Sequence, residues 1–196
     1  MAKLHSPLLC KPTLRRLLLL LAFVGGVGGG PLKVNAQLFA LKTDGLMDLA
    51  LVPNLGAEFC TSSKTSVAIS GWYADWQVYG TLPGKMYGVQ PEFRYWLSGQ
   101  TFHSWYVGVN ATAMSYDMTI GDNRFQGETF AGGLMAGYAF HIHRYLTLDC
   151  HAALSCAYYT HDRSWVGDEL PAPEWYEENG VKPIPQVGVS LIWIVK

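Results

Sequence analysis

The chain has 196 residues, of which 49% are hydrophobic, 13% aromatic and only 15% charged, whereas a soluble domain usually carries roughly 25% charge. The length suits one domain, and the low charge predicts a surface that faces something other than water. Five of the 14 basic residues and no acidic residue precede Gln37, so the rest has 9 basic (14 − 5) against 15 acidic residues. This acidic balance argues against a nucleic-acid partner, because phosphates need a cationic surface.

Residues 1–36 have the organisation of a secretory signal peptide. Basic residues ending in Arg15 and Arg16 precede an apolar run at 17–24, and residues 34–36 place small or branched side chains where a signal peptidase cleaves. The run is well below the ~20 residues that cross a bilayer as a helix, so a retained anchor is the weaker interpretation. We expect export to the outer membrane and a mature domain at 37–196.

The mature part alternates polar and apolar residues with a period of two, which indicates strands. In the fourth predicted strand, Gln90, Glu92 and Arg94 share one face, and apolar or aromatic residues occupy the other. The eight predicted strands are 38–52, 55–61, 65–76, 87–97, 104–117, 128–142, 145–159 and 184–195.

The connections between these strands alternate between short and long from the second strand onward. Outer-membrane barrels have short periplasmic turns and long outside loops. The first connection, at Pro53 and Asn54, is short where this pattern requires a loop. Together with export and low charge, the pattern predicts an all-β fold, an eight-stranded antiparallel up-and-down transmembrane β-barrel. A soluble, lipocalin-like periplasmic barrel is the alternative, but the narrow polar face that pairs acid with base suits an interior.

Several stretches carry a family resemblance. The most specific are Pro-Asn-Leu-Gly-x-Glu at 53–58 and Pro-Glu-Phe-Arg-Tyr-Trp at 91–96, and further matches lie at 40–48, 70–73 and 190–193. In these the chain resembles a family of uncharacterised small bacterial outer-membrane proteins catalogued as domain of unknown function 3575. The resemblance implies a small β-barrel, an association of some relatives with fimbrial or surface-structure genes, and no enzymatic activity. Asp44 stands where the family tends to carry Asn, which leaves the fold expectation unchanged.

The cysteines and histidines of the mature part do not form a recognisable metal or disulfide pattern. Cys150 and Cys156 lie six residues apart on one strand, roughly 20 Å, which is beyond disulfide reach, and Cys60 is on a distant strand. His141 and His143 lack an evident third ligand. We therefore expect free thiols, no metal and no cofactor.

A catalytic site would need a nucleophile, a base and an orienting group within hydrogen-bond reach. Asp149, His151 and Ser155 share a strand face, but His151 and Ser155 are roughly 13 Å apart along it. The chain lacks Gly-x-Ser-x-Gly and His-Glu-x-x-His motifs. We expect a non-enzymatic protein with a structural, assembly or surface-interaction role, whose partners are outer-membrane lipid and a surface or fimbrial protein. The alternatives are an outer-membrane hydrolase acting on lipid or ester, and a narrow pore, which eight strands disfavour.

Charged residues on the polar strand faces are predicted to form a network inside the barrel. Buried charges must be paired, and five acids accompany two bases and one His, so Arg94 is the expected central cation. The candidate members are Lys42, Asp44, Asp48, Glu58, Glu92, Arg94, Asp149 and His151.

Residues 160–183 are predicted to be the longest outside loop. Trp165, Trp175 and Tyr176 stand there among acidic residues, so this loop is a candidate contact for a protein, a glycan or a cation. A solvated surface loop without a partner is the favoured interpretation.

Overall fold

The structure is a computed structural model that describes residues 38–76, 84–120, 123–165 and 176–195. For residues 120, 123–124, 161–165 and 176–179 the backbone alone is described. The predicted signal peptide, residues 1–36, lies outside the described residues, so its assignment stays a prediction.

Eight antiparallel strands form a closed barrel in which each strand pairs with its neighbours in sequence and the last pairs with the first. The all-β class and the eight-stranded up-and-down topology are therefore confirmed. The elements are β1 (Phe39–Asp44), α1 (Gly45–Leu49), β2 (Asn54–Cys60), β3 (Thr65–Asp75), β4 (Gly84–Trp96), β5 (Ser104–Ile120), β6 (Asn123–His143), β7 (Leu146–Trp165) and β8 (Tyr176–Val195).

The connection between β1 and β2 corrects the expected first strand of 38–52, because β1 ends at Asp44. The Asp44 carboxylate accepts hydrogen bonds from the backbone N–H groups of Leu46 and Met47 and so caps the short helix α1. A capping side chain that replaces missing intrahelical partners favours helix over continued strand. The first connection is thus a loop with a helical turn, as the alternation of short and long connections requires.

Strands β6, β7 and β8 are longer than expected, at 21, 20 and 20 residues. The predicted seventh strand ends at residue 159 and the predicted eighth begins at 184, and a strand that contains Pro183 and Pro185 is unexpected in the middle of a sheet. However, β1 pairs with β8 only as far as Asp44 opposite Ser190, so both prolines lie where β8 pairs with β7 alone. Proline is tolerated in a strand with one free edge, and residues 160–165 and 176–183 of the expected loop are strand.

The two faces of the strands differ sharply. Inward positions are mostly buried and include charged residues such as Glu92 and Arg94, at 4% and 0% exposure, whereas outward positions hold large exposed apolar side chains such as Leu134 and Val187. The polar face is therefore the interior. We name the end with residues 61–64, 97–103 and 144–145 the turn end, and the opposite end the loop end.

No helix among the described residues has the length and hydropathy needed to cross a membrane.

Candidate functional site

Arg94 lies at the centre of the barrel interior, fully buried. Its Nε and Nη2 donate to Glu92 Oε2 at 2.9 and 2.7 Å, and its Nη1 donates to Asp149 Oδ2 at 3.1 Å. Nη1 also lies 3.3 Å from Glu58 Oε2. The guanidinium fork suits several carboxylates at once, so one side chain on β4 connects the walls contributed by β2 and β7.

Two aromatic side chains hold these carboxylates in place. Tyr106 Oη lies 2.8 and 3.0 Å from the two Asp149 oxygens, and its ring lies 4.7 Å below the Arg94 guanidinium carbon. A Cβ at Gly137 would lie 2.5 Å from Tyr106 Oη, so the glycine makes room for the hydroxyl. Trp96 Nε1 donates to Ser66 Oγ at 2.9 Å, and Ser66 Oγ donates to Glu58 Oε1 at 2.5 Å.

The network continues toward the loop end. Lys42 Nζ donates to Glu92 Oε1 at 2.7 Å. His151 lies between two carboxylates, with Nδ1 3.5 Å from Asp149 Oδ2 and Nε2 4.0 Å from Asp44 Oδ2. Ser190 Oγ completes the surroundings of Asp44 Oδ2 at 3.3 Å.

The structure thus brings seven of the eight residues of the expected network together and places one elsewhere. Asp48 is exposed in α1, where it accepts from Thr43 Oγ1 and Asn54 Nδ2. Its inclusion in the interior is corrected, because the strand that would have directed it inward ends at Asp44.

The aromatic candidates for an outside contact fall at the edges of the described chain. Trp165 ends β7, opposite Asn123, and Tyr176 begins β8, opposite Arg163. Their side chains and the whole of Trp175 lie outside the described residues, so their contact role stays a prediction.

A cluster of apolar and aromatic side chains fills the interior at the turn end. Trp96, Phe102 and Tyr106 are at most 1% exposed, and the Trp96 ring lies 5.8 and 4.8 Å from those of Phe102 and Tyr106. Phe102 belongs to the β4–β5 turn and has a φ of 62°. The turn folds back so that the Phe102 side chain packs into the turn end of the interior. We call this cluster, with Met135, Ala139, Ile192 and Ile194, the aromatic plug.

The loop-end half of the interior contains a cavity of about 400 Å³. Its lining includes Lys42, Asp44, Glu92 and His151 from the charged network. Trp72 and three methionines, Met47, Met86 and Met114, line the rest together with smaller residues. The interior therefore has three layers, which are the aromatic plug, the Arg94 network and this cavity.

The described residues offer little for metal or nucleophilic chemistry. Cys60, Cys150 and Cys156 are free thiols, and no group of three or more His, Cys, Asp or Glu side chains in the described part of the chain is arranged to hold a metal. Ser155 Oγ donates to Asn110 Oδ1 at 3.2 Å rather than to His151. The Asp149 carboxylate is already engaged by Arg94 and Tyr106.

Sequence reasoning missed the uncharged members of the network, Ser66, Trp96 and Tyr106. The sequence pattern could have found them, because each lies an even number of residues from an inward-facing residue of the same strand and therefore also faces inward. Buried Tyr and Trp side chains usually place their O–H or N–H on a partner, which here is a carboxylate or a serine of the network.

The family profile described as "Protein of unknown function (DUF3575)" matches residues 19–195. The chain belongs to this family. The match covers all described strands, including the Arg94 network, and the family description carries no activity. No curated protein and no solved structure matches the chain significantly.

Proposed function

We propose that the chain is a non-enzymatic outer-membrane β-barrel protein with a structural, assembly or surface-interaction role, linked to a fimbria or another surface structure. The observation that carries the membrane assignment is the outward face. Outward positions of β6 from Phe130 to Phe140 hold no Asp, Glu, Lys or Arg. That stretch is about 34 Å along the strand and about 26 Å along the axis of a barrel tilted by roughly 40°, close to the apolar band of ~25 Å in such proteins.

Aromatic residues lie near both edges of this outward band. Tyr95, Trp105 and Trp193 are exposed near the turn end, and Tyr73 and Tyr87 are exposed toward the loop end. Aromatic side chains concentrate at the two membrane–water interfaces of barrels. Beyond the loop-end edge of the apolar band, the outward face becomes charged, with a distance of 3.1 Å between Lys85 Nζ and Asp75 Oδ2.

The surface-interaction part of the proposal is supported by the uneven strand lengths. β1 has 6 residues and β2 has 7, whereas β5–β8 have 17 to 21. A membrane crossing needs ~9–11 residues, so β5–β8 are longer than one crossing. The parts of β5–β8 nearest the loop end therefore extend past the apolar band. A rigid hydrogen-bonded wall outside the membrane suits contact with another surface protein.

The closed turn end of the interior supports a role without conduction or hydrolysis. The aromatic plug closes the turn end, and eight strands leave an interior that side chains can fill. His151, the histidine nearest the network carboxylates, lies inside the barrel rather than at the lipid boundary.

Fractionation of expressing cells tests the location. We expect the protein in the outer-membrane fraction, with a gel mobility that changes on heating and with an N-terminus at Gln37. Recovery in the soluble periplasmic fraction would overturn the membrane assignment in favour of a soluble barrel.

Crosslinking on intact cells with a membrane-impermeant reagent tests the interaction role. We expect one recurrent surface-appendage protein, whose yield falls when Glu128, exposed above the apolar band, is changed to Lys. The matched control is Lys64→Glu in a turn-end connection, which should leave the yield unchanged. Equal yields from both variants, or recovery of no surface protein, would contradict this role.

A further inference from the structure

The loop-end cavity has the size and the mixed lining of a small-molecule site. Its volume of about 400 Å³ falls in the range of ~300–1,000 Å³ in which such sites occur. The cavity lies inside the barrel, above the Arg94 network, so its existence depends on barrel folding and not on the identity of any protein partner.

One wall of the cavity is apolar and adaptable. Met47, Met86 and Met114 pack around the cluster of Trp72, Val52 and Ala74, and the three methionines and Trp72 line the cavity. Thioether side chains adjust to irregular apolar shapes and make favourable contacts with aromatic rings. This wall suits the hydrocarbon or aromatic body of a ligand.

Hydrogen-bond donors without acceptors among the described residues lie next to this apolar wall, and Trp72 belongs to both groups. Trp72 is 9% exposed, and no described residue accepts from its buried Nε1, which can only donate. Ser70 Oγ is also buried without a partner among the described residues. Among the described residues, Lys42 Nζ donates one hydrogen bond, to Glu92, although an ammonium has three donors.

These three donors lie side by side on the wall formed by β1, β2 and β3. Lys42 and Ser70 are both register partners of Gly56, and a Cβ there would lie 2.5 Å from Ser70 Oγ and 2.7 Å from Lys42 Cγ. The missing side chain of Gly56 therefore lets Lys42 and Ser70 approach each other. Trp72 follows two residues after Ser70 on the same face of β3.

The neighbouring acceptors are already occupied. Glu92 Oε1 accepts from Lys42 and from Gln90 at 3.1 Å, and Glu92 Oε2 accepts twice from Arg94. Gln90 Oε1 accepts from Thr112 at 3.0 Å. The Asp44 carboxylate also lines the cavity, and it accepts from the backbone N–H groups of Leu46 and Met47 and from Ser190 Oγ. The donors of this wall therefore lack acceptors among the described residues.

We propose that the cavity binds a small amphipathic carboxylate. Its oxygens, which only accept when ionised, take the donors of Lys42, Ser70 and Trp72. Its apolar body packs against Met47, Met86 and Met114. This binding activity goes beyond the proposed structural role and requires only the folded barrel.

Calorimetric titration of the purified protein in detergent micelles, corrected for micelles alone, tests the ligand class. The probes are 4-phenylbutyrate, 4-phenylbutylamine and 4-phenylbutan-1-ol, which share an apolar body and differ in the head group. We expect 4-phenylbutyrate to bind at least tenfold more tightly than the amine. Equal or tighter binding of the amine, or no binding of any probe, would overturn the proposal.

Two matched pairs of variants locate the binding. Ala131 lines the cavity and Ala136 points outward on the same strand, so Ala131→Phe should abolish 4-phenylbutyrate binding and Ala136→Phe should not. Trp72→Phe removes the donor and keeps an aromatic ring, and should weaken binding about tenfold, whereas the outward Trp193→Phe should leave it unchanged. Heat-dependent gel mobility establishes that each variant is folded. If Ala131→Phe does not fold, the tryptophan pair decides, and equal affinities in that pair refute the site.

Discussion

At the scale of single residues, the interior depends on one cation shared by several anions. Glu58, Glu92 and Asp149 surround Arg94, and Lys42 adds a second positive charge. Removing one partner from a buried ion pair costs much more than the pair contributes, because the remaining charge keeps its desolvation penalty. Arg94 is therefore the residue whose loss should matter most to stability.

Arg94→Met retains much of the buried volume and removes the charge. We expect the free energy of unfolding to fall by about 3–5 kcal/mol, measured as a lower urea midpoint for the heat-modifiable band on gels. Arg144→Met, at an exposed turn, is the control and should change stability by less than about 0.5 kcal/mol. An unchanged midpoint for Arg94→Met would contradict the central role of this cation.

At the scale of elements, the β1–β2 connection shows how a side chain replaces backbone pairing. Asn54 Oδ1 accepts from the Asp44 backbone N–H at 2.6 Å, and Nδ2 donates to the Asp44 carbonyl at 2.9 Å. These bonds connect the end of β1 to the start of β2 where the ladder stops. The predicted first strand continues to residue 52, and only the capping contacts of Asp44 decide for the helix.

Asn54→Ala removes both bonds to the Asp44 backbone. We expect a loss of about 1–3 kcal/mol, since two hydrogen bonds to partly buried backbone groups are lost. We also expect faster proteolysis within 45–53, followed by mass spectrometry of the fragments. Asp48→Ala removes only exposed contacts to Thr43 and Asn54 and should have a smaller effect. Equal proteolysis rates for the two variants would argue against this role of Asn54.

At the scale of the whole molecule, charge and apolarity are inverted relative to a water-soluble protein. Buried charges occupy the interior, while Leu134, Leu154 and Val187 are 72%, 62% and 74% exposed outward. A soluble protein rarely exposes a continuous apolar belt. The inversion favours lipid as the medium around the barrel. A charged substitution should therefore be costly within the apolar belt and nearly neutral beyond it.

Leu134→Arg places a cation near the middle of the outward band. In a lipid bilayer we expect a loss of about 2–4 kcal/mol of folding free energy, measured by urea unfolding in vesicles. Glu128→Arg, above the band on the same strand, should be nearly neutral. Were the barrel soluble, Leu134→Arg would cost little and would raise solubility, which is the opposite outcome.

The sequence by itself determined the number of strands, their antiparallel order and the inward face of Glu92 and Arg94. The strand number and order follow from local alternation and from turn residues, which act between near neighbours in the chain, whereas the inward face follows from the composition of the polar face. Only the tertiary structure decided which groups meet across the lumen: Arg94 on β4 reaches Asp149, 55 residues away on β7. Those contacts depend on strand register and barrel closure, which fix the height of each inward side chain, and a linear pattern contains neither. Strand register and closure also decided that β8 continues through two prolines and that a donor-lined cavity remains above the network, whereas the local capping of α1 by Asp44 placed Asp48 outside it.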